Sequence, residues 1–96
     1  MTRLEMLRSK REAILSLAAR RGMKNVRVFG SVARGDDRPD SDVDFLVDVE
    51  PGRSLLDLAG WVVDLEENLH TKVDVVTARS VSPYMRNAVL KEAIPL

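Results

Sequence analysis

Ninety-six residues, 45% of them hydrophobic, suffice for one domain, spanning residues 1–96, with a single core and no room for a second. Fifteen basic residues cancel fifteen acidic ones, so no general attraction to nucleic acid or to an anionic membrane surface is expected, and no direct nucleic-acid contact is assigned. The chain has no cysteine, which excludes disulfides, thiolate zinc and a cysteine nucleophile. No apolar run approaches the roughly 20 residues of a membrane span, and no signal-peptide core is present, so a soluble, cytoplasmic protein is expected.

Residues 2 to 21 read as one amphipathic helix. Thr2 and Glu5 form a capping box, Leu4, Leu7, Ile14, Leu15 and Ala18 supply an apolar stripe, and Gly22 ends it. Val26 to Phe29 is short, apolar and β-prone, and Gly30-Ser31 breaks it into a tight turn, with 31 to 34 forming one helical turn. Gly35 to Ser41 is a loop. Asp42 to Val49 then alternates, with Val43, Phe45, Val47 and Val49 on one face and Asp42, Asp44, Leu46 and Asp48 on the other. Ser54 with Asp57 opens a helix to about residue 69 that carries Leu55, Leu58, Val62, Leu65 and Leu69. Lys72 to Thr77 is a third strand, in which Asp74 faces opposite to Val73 and Val75. Ser82-Pro83 caps a last helix through about Glu92. The order α-β-α-β-α-β-α predicts an α/β (α+β) layer domain with a small three-stranded mixed sheet packed with helices.

The chemistry sits in Gly30-Ser31, ten further residues, then Asp42-Val43-Asp44. Strand alternation turns both aspartates to the face the core does not use, where two parallel carboxylates repel unless a cation lies between them. Magnesium suits them, since it takes carboxylate oxygens and completes its shell with waters and substrate phosphates. Gly30 lets backbone approach a ligand, and Ser31 at a helix start offers a hydroxyl and N–H groups to a phosphate. Asp74 would add a third carboxylate and allow two metals.

Competing readings of these residues differ in strength. Asp40-x-Asp42-x-Asp44 begins like a calcium loop, but Phe45 stands where glycine is needed and Pro51 where a bidentate glutamate belongs. Gly30 to Gly35 has P-loop glycine spacing, but Asp36-Asp37 replace its Lys-Ser/Thr. The aspartates could instead be a solvated strand face, Ser31 a simple cap, and Arg34 a surface arginine rather than a phosphate ligand. His70, without a second histidine or cysteine nearby, reads as a surface or capping residue. Trp61 reads as buried in a core or interface, and the basic run Arg8 to Arg11 with Arg20-Arg21 as the wet face of the first helix.

Residues 26 to 50, VRVFGSVARGDDRPDSDVDFLVDVE, resemble the G-S-x10-D-x-D signature of the DNA polymerase beta-like nucleotidyltransferases. The short chain and the Gly-Ser-x-Ala-Arg-Gly form at Gly30 to Gly35 resemble the minimal nucleotidyltransferases (MNT or MntA antitoxins), over about Val26 to Thr77. The resemblance implies the nucleotidyltransferase fold and transfer of AMP from ATP, with pyrophosphate leaving. It implies two Mg²⁺ ions held by Asp42, Asp44 and Asp74, with Asp74 also taking the acceptor's proton, and the β- and γ-phosphates held by Gly30 and Ser31; Arg34, beside them in the sequence, is a candidate to reach a phosphate or a partner chain. It further implies a HEPN-domain toxin as partner, a tyrosine of that toxin as acceptor, and a hetero-oligomer of the two. Two alternatives stand beside it: a non-catalytic antitoxin that masks its partner, and transfer to a small molecule.

Overall fold

The computed structural model describes residues 2 to 96. Its elements are α1 (Arg3–Ser9), α2 (Arg11–Arg21), β1 (Met23–Phe29), α3 (Gly30–Arg34), β2 (Val43–Val49), α4 (Leu55–Leu69), β3 (Val73–Thr77), α5 (Pro83–Glu92) and β4 (Ile94–Pro95). The four strands form one mixed sheet in the order β3-β2-β1-β4. β1 pairs antiparallel with both β2 and β4, whereas β2 and β3 run parallel.

The expected three-stranded sheet therefore has a fourth strand. Ile94 pairs with Val28 and Pro95 with Arg27, and the Leu96 N–H donates to the Val26 carbonyl at 3.1 Å. Two residues are too few to show alternation, and Pro95, which has no N–H to donate, is tolerated at a sheet edge.

The expected single first helix is two. The chain bends at Lys10 (φ −106°, ψ 16°), where the Ser9 hydroxyl donates to the Met6 carbonyl at 2.6 Å, a local bond of the kind that bends helices. The Lys10 ammonium reaches the Asn68 carbonyl at 3.1 Å. Leu7 and Ile14 are each fully buried on either side of the bend, so the break lets both segments turn apolar residues inward. The Thr2–Glu5 and Ser54–Asp57 capping boxes both form, and Gly22 closes α2 at φ 74°.

The core lies between the sheet and the helices. Val28, Val43, Phe45, Val47, Trp61 and Leu65 all have no accessible surface, and they belong to one cluster with Leu7, Ile14 and Ala18. The Phe45 and Trp61 rings meet edge to face with centroids 5.5 Å apart, which adds about 0.5–1.5 kcal/mol to the area they bury. Leu46, on the opposite face of β2 from Phe45, is also fully buried but stands outside that cluster. The middle of β2 is thus covered on both faces, and the acidic front expected there is confined to its ends.

Candidate active site

β1 runs directly into α3, and β2 returns beside it with Phe29 opposite Asp44. The Gly-Ser turn and the D-x-D strand therefore meet. Gly30 has φ 74°, in the left-handed region. A Cβ there would collide with the Asp44 carboxylate, whose Cγ would lie 3.1 Å away. Glycine alone meets both demands. On its other side Asp44 lies in parallel register with Asp74 of β3, and Asp42 immediately precedes β2, two residues from Asp44 on the same face by alternation. The sequence-predicted carboxylates are thus brought to one end of the sheet, where β1 finishes and β2 and β3 begin.

Asp44 is half-buried, and Asp42 and Asp74 are exposed. Burial pushes the Asp44 carboxyl above the ordinary carboxylate range, and the negative charges of Asp74 and Asp42 push it further. The Arg34 guanidinium opposes this rise, and Glu92 adds to it. Glu92 is thus a fourth acidic residue at the rim. It lies 58 residues beyond Arg34 on α5, and no local pattern marks it.

Arg34 ends α3 and holds two carboxylates: its Nε donates to Asp36 at 3.2 Å and its Nη1 to Glu92. Hydrogen bonding to Glu92 first, then to Asp36, raises its guanidinium further above its ordinary value. Ser31 is not the cap of α3. Phe29 occupies that position with no side-chain cap bond, and among the described residues no hydrogen bond involves the Ser31 hydroxyl, which is partly accessible.

Among the described residues no group of three acidic or histidine side chains is gathered closely enough to hold a metal ion by itself. The donors present are hard carboxylate oxygens in an open array, which suits an ion that keeps its waters and draws on substrate phosphates. His70 caps α4 in the left-handed region at φ 54° and is exposed, and Trp61 is fully buried.

A Gly-Ser turn joining a strand to a short helix, facing aspartates on two neighbouring parallel strands of a mixed sheet, defines the class as that of the nucleotidyltransferases. The chain belongs to the nucleotidyltransferase domain family, whose profile matches residues 8–96. Protein adenylyltransferase MntA of Thermococcus cleftensis is 40% identical over 78 residues, covering 81% of this chain and 79% of that protein. A Methanocaldococcus jannaschii protein provisionally named a protein adenylyltransferase is 40% identical over 81 residues, 84% of this chain and 87% of that one. A solved structure provisionally described as a minimal nucleotidyltransferase is 56% identical with a TM-score of 0.88, covering 100% of this chain and 97% of the other. The structure of a tri-AMPylated Shewanella oneidensis HEPN toxin in complex with MNT antitoxin contains a chain of the same fold, with TM-score 0.68, 19% identity, and coverage of 92% of this chain and 69% of that one. No helix among the described residues is long and apolar enough to cross a membrane.

Proposed function

We propose that this chain is a single-domain cytoplasmic protein adenylyltransferase that moves AMP from ATP to a tyrosine hydroxyl of a HEPN-domain toxin, silencing it as its antitoxin within a hetero-oligomer. The observation that carries the reading is the meeting of Asp44 with Asp74 across the β2–β3 register, with Gly30 packed against the Asp44 carboxylate. The names of the relatives and the AMPylated toxin complex support the nucleotide and the partner.

The carboxylates fit Mg²⁺ by their chemistry: Asp42, Asp44 and Asp74 offer only hard oxygen donors, and their mutual repulsion at Asp44 is what a divalent cation relieves. These three residues would hold two Mg²⁺ ions, which when bound supply charge neutralisation to the triphosphate and the developing negative charge. Gly30 leaves room for phosphate beside backbone, Ser31 offers its hydroxyl, and Arg34 reaches phosphate with donors that Asp36 and Glu92 leave free. The acceptor oxygen bonds to the α-phosphorus as the bond to the β-phosphate oxygen breaks and pyrophosphate departs. Asp74, on the exposed side, accepts the hydroxyl proton. Positioning and charge neutralisation account for most of the acceleration. The exposed setting of Asp42 and Asp74 suits an acceptor brought by another protein.

Incubation with the HEPN protein, ATP and Mg²⁺ should add the mass of AMP to that protein on a tyrosine, and the Asp42→Asn, Asp44→Asn double variant should add nothing. Neutralisation by the double variant in cells, with no mass added by the wild type, would replace the enzyme with a masking antitoxin.

A further inference from the structure

Arg3 lies outside the residues that the family profile matches, 8–96, and nothing in the D-x-D motif calls for it. Its guanidinium is nevertheless the most connected at this end of the molecule. Nη1 donates to the Ser41 carbonyl at 2.6 Å and to the Arg38 carbonyl at 3.3 Å, and it pairs with the Asp37 carboxylate at 3.5 Å. Nη2 donates to the Thr71 hydroxyl at 2.8 Å. The side chain is only 20% exposed and that of Asp37 16%.

Those partners fall into two groups. Asp37, Arg38 and Ser41 belong to the loop that delivers Asp42 to β2, and Thr71 belongs to the segment that delivers Asp74 to β3. Because β2 and β3 are parallel, both enter the sheet at the same end, and the Val43 N–H donates to the Lys72 carbonyl at 3.0 Å where they first meet. A planar guanidinium can hold both leads in one fixed geometry, which a lysine ammonium cannot. The arginine is itself rooted, since it opens a helix whose first turn is locked by the Thr2–Glu5 capping box. Together with Arg34, Asp37 and Arg38 it also bounds a hollow of about 530 Å³ on the α3 side of the loop.

We propose that Arg3 is a positioning residue for the carboxylate site, setting the separation of Asp42 and Asp44 from Asp74 by tying the two strand leads together. The inference rests on reading these carboxylates as a nucleotide–magnesium site. Arg3 touches none of them and acts through Ser41 and Thr71, so its removal changes the shape of the site rather than its donor set.

Two readings on the full-length protein test this: calorimetric titration of ATP with Mg²⁺ well below the melting midpoint, and hydrogen exchange of the nucleotide-free protein. Arg21→Ala is the control, because Arg21 joins α2 to α4 through Asp64 at 2.9 Å, away from the carboxylates. Arg3→Ala should weaken magnesium-dependent ATP affinity roughly tenfold, the lower end of the range for losing a group bonded directly to a metal ligand, because Arg3 acts on the ligands only through Ser41 and Thr71. Exchange at the Ser41 and Val43 amides should accelerate. Arg3→Lys should not rescue affinity, and Arg21→Ala should bind as wild type does. Should Arg3→Ala not fold, Thr71→Val removes only the β3 arm and should lower affinity severalfold. Wild-type affinity and exchange in a folded Arg3→Ala variant overturn the proposal, as does an equal loss of affinity in Arg21→Ala. A wild type that binds no ATP with Mg²⁺ overturns the site reading itself, an outcome distinct from a wild type and Arg3→Ala that bind alike.

Discussion

Asp44→Asn should stabilise the metal-free protein while destroying its function. Asp44 is half-buried, faces Asp74 in register, and carries a carboxyl raised first by burial and then by the charges of Asp74 and Asp42. Like charges directly opposite on neighbouring strands are destabilising, and the amide removes that repulsion together with part of the cost of burying charge. A gain of about 1 kcal/mol corresponds to a melting midpoint about 4–8 °C higher for a domain of this size. Because the folded-state pKa lies above the unfolded one, the wild type is penalised where Asp44 is ionised in the fold, at neutral pH and above. The penalty fades as pH falls through the folded pKa and is gone below the unfolded value, about 3.9. The advantage of Asp44→Asn should therefore be full at neutral pH in EDTA and shrink as pH approaches 4. Saturating ATP with Mg²⁺ reverses the ranking, since ligand at about 100 times Kd adds about 2.7 kcal/mol to the wild type and nothing to a variant that cannot bind it. Differential scanning fluorimetry with EDTA, and with ATP and Mg²⁺, measures all of this. A variant that melts below the wild type in EDTA at neutral pH would refute the account of strain at Asp44.

Gly30→Ala should cost about 1–3 kcal/mol for the left-handed backbone alone and should also displace the Asp44 carboxylate, so a lowered melting midpoint should accompany lost magnesium-dependent ATP binding by calorimetry. Ser31→Ala removes one hydroxyl contact and keeps the backbone donors, so single-turnover transfer should slow by roughly 1–3 kcal/mol in the barrier without vanishing. Trp61→Ala should cost about 3–5 kcal/mol in urea unfolding by emptying the centre of the core. A smaller loss there would mean that α4 and the sheet collapse onto the space.

Much of the fold was legible because patterning and tertiary packing agree. Asp42 to Val49 alternates in the sequence, and the structure buries Val43, Phe45 and Val47 from that alternation. The capping boxes at Thr2 and Ser54 need only residues three apart and form as read. What escaped depends on distant partners. β1 starts at Met23, not Val26, because pairing with Asp48 and Val49 across a bulge at Asn25 (φ 54°) recruits residues with little strand preference of their own. The fourth strand exists only because α5 returns the chain to β1. Leu46 alternates with polar residues yet is buried, since alternation says which face a residue takes and not whether that face is covered. Glu92 and Arg3 come to the carboxylate end from the two extremities of the chain, which spacing within one segment cannot report.

The site's location follows from the antiparallel step between β1 and β2. In open parallel sheets, ligands lie beyond the carboxyl ends of the strands, and a hollow of about 510 Å³ bounded by Asp48, Arg53, Thr77 and Arg79 does lie beyond those ends of β2 and β3. The carboxylates are at the other end, where Asp44 and Asp74 are each the second residue of their strand. β1 runs opposite to β2, so its carboxyl end arrives there and delivers Gly30 against Asp44. The strand that carries the Gly-Ser turn thus obeys the general rule, and the strands that carry the aspartates are read from their amino ends. Reversing β1 would move the glycine to the far end of the sheet, some 20 Å away at about 3.3 Å per residue over β2, and no substitution among the aspartates could compensate.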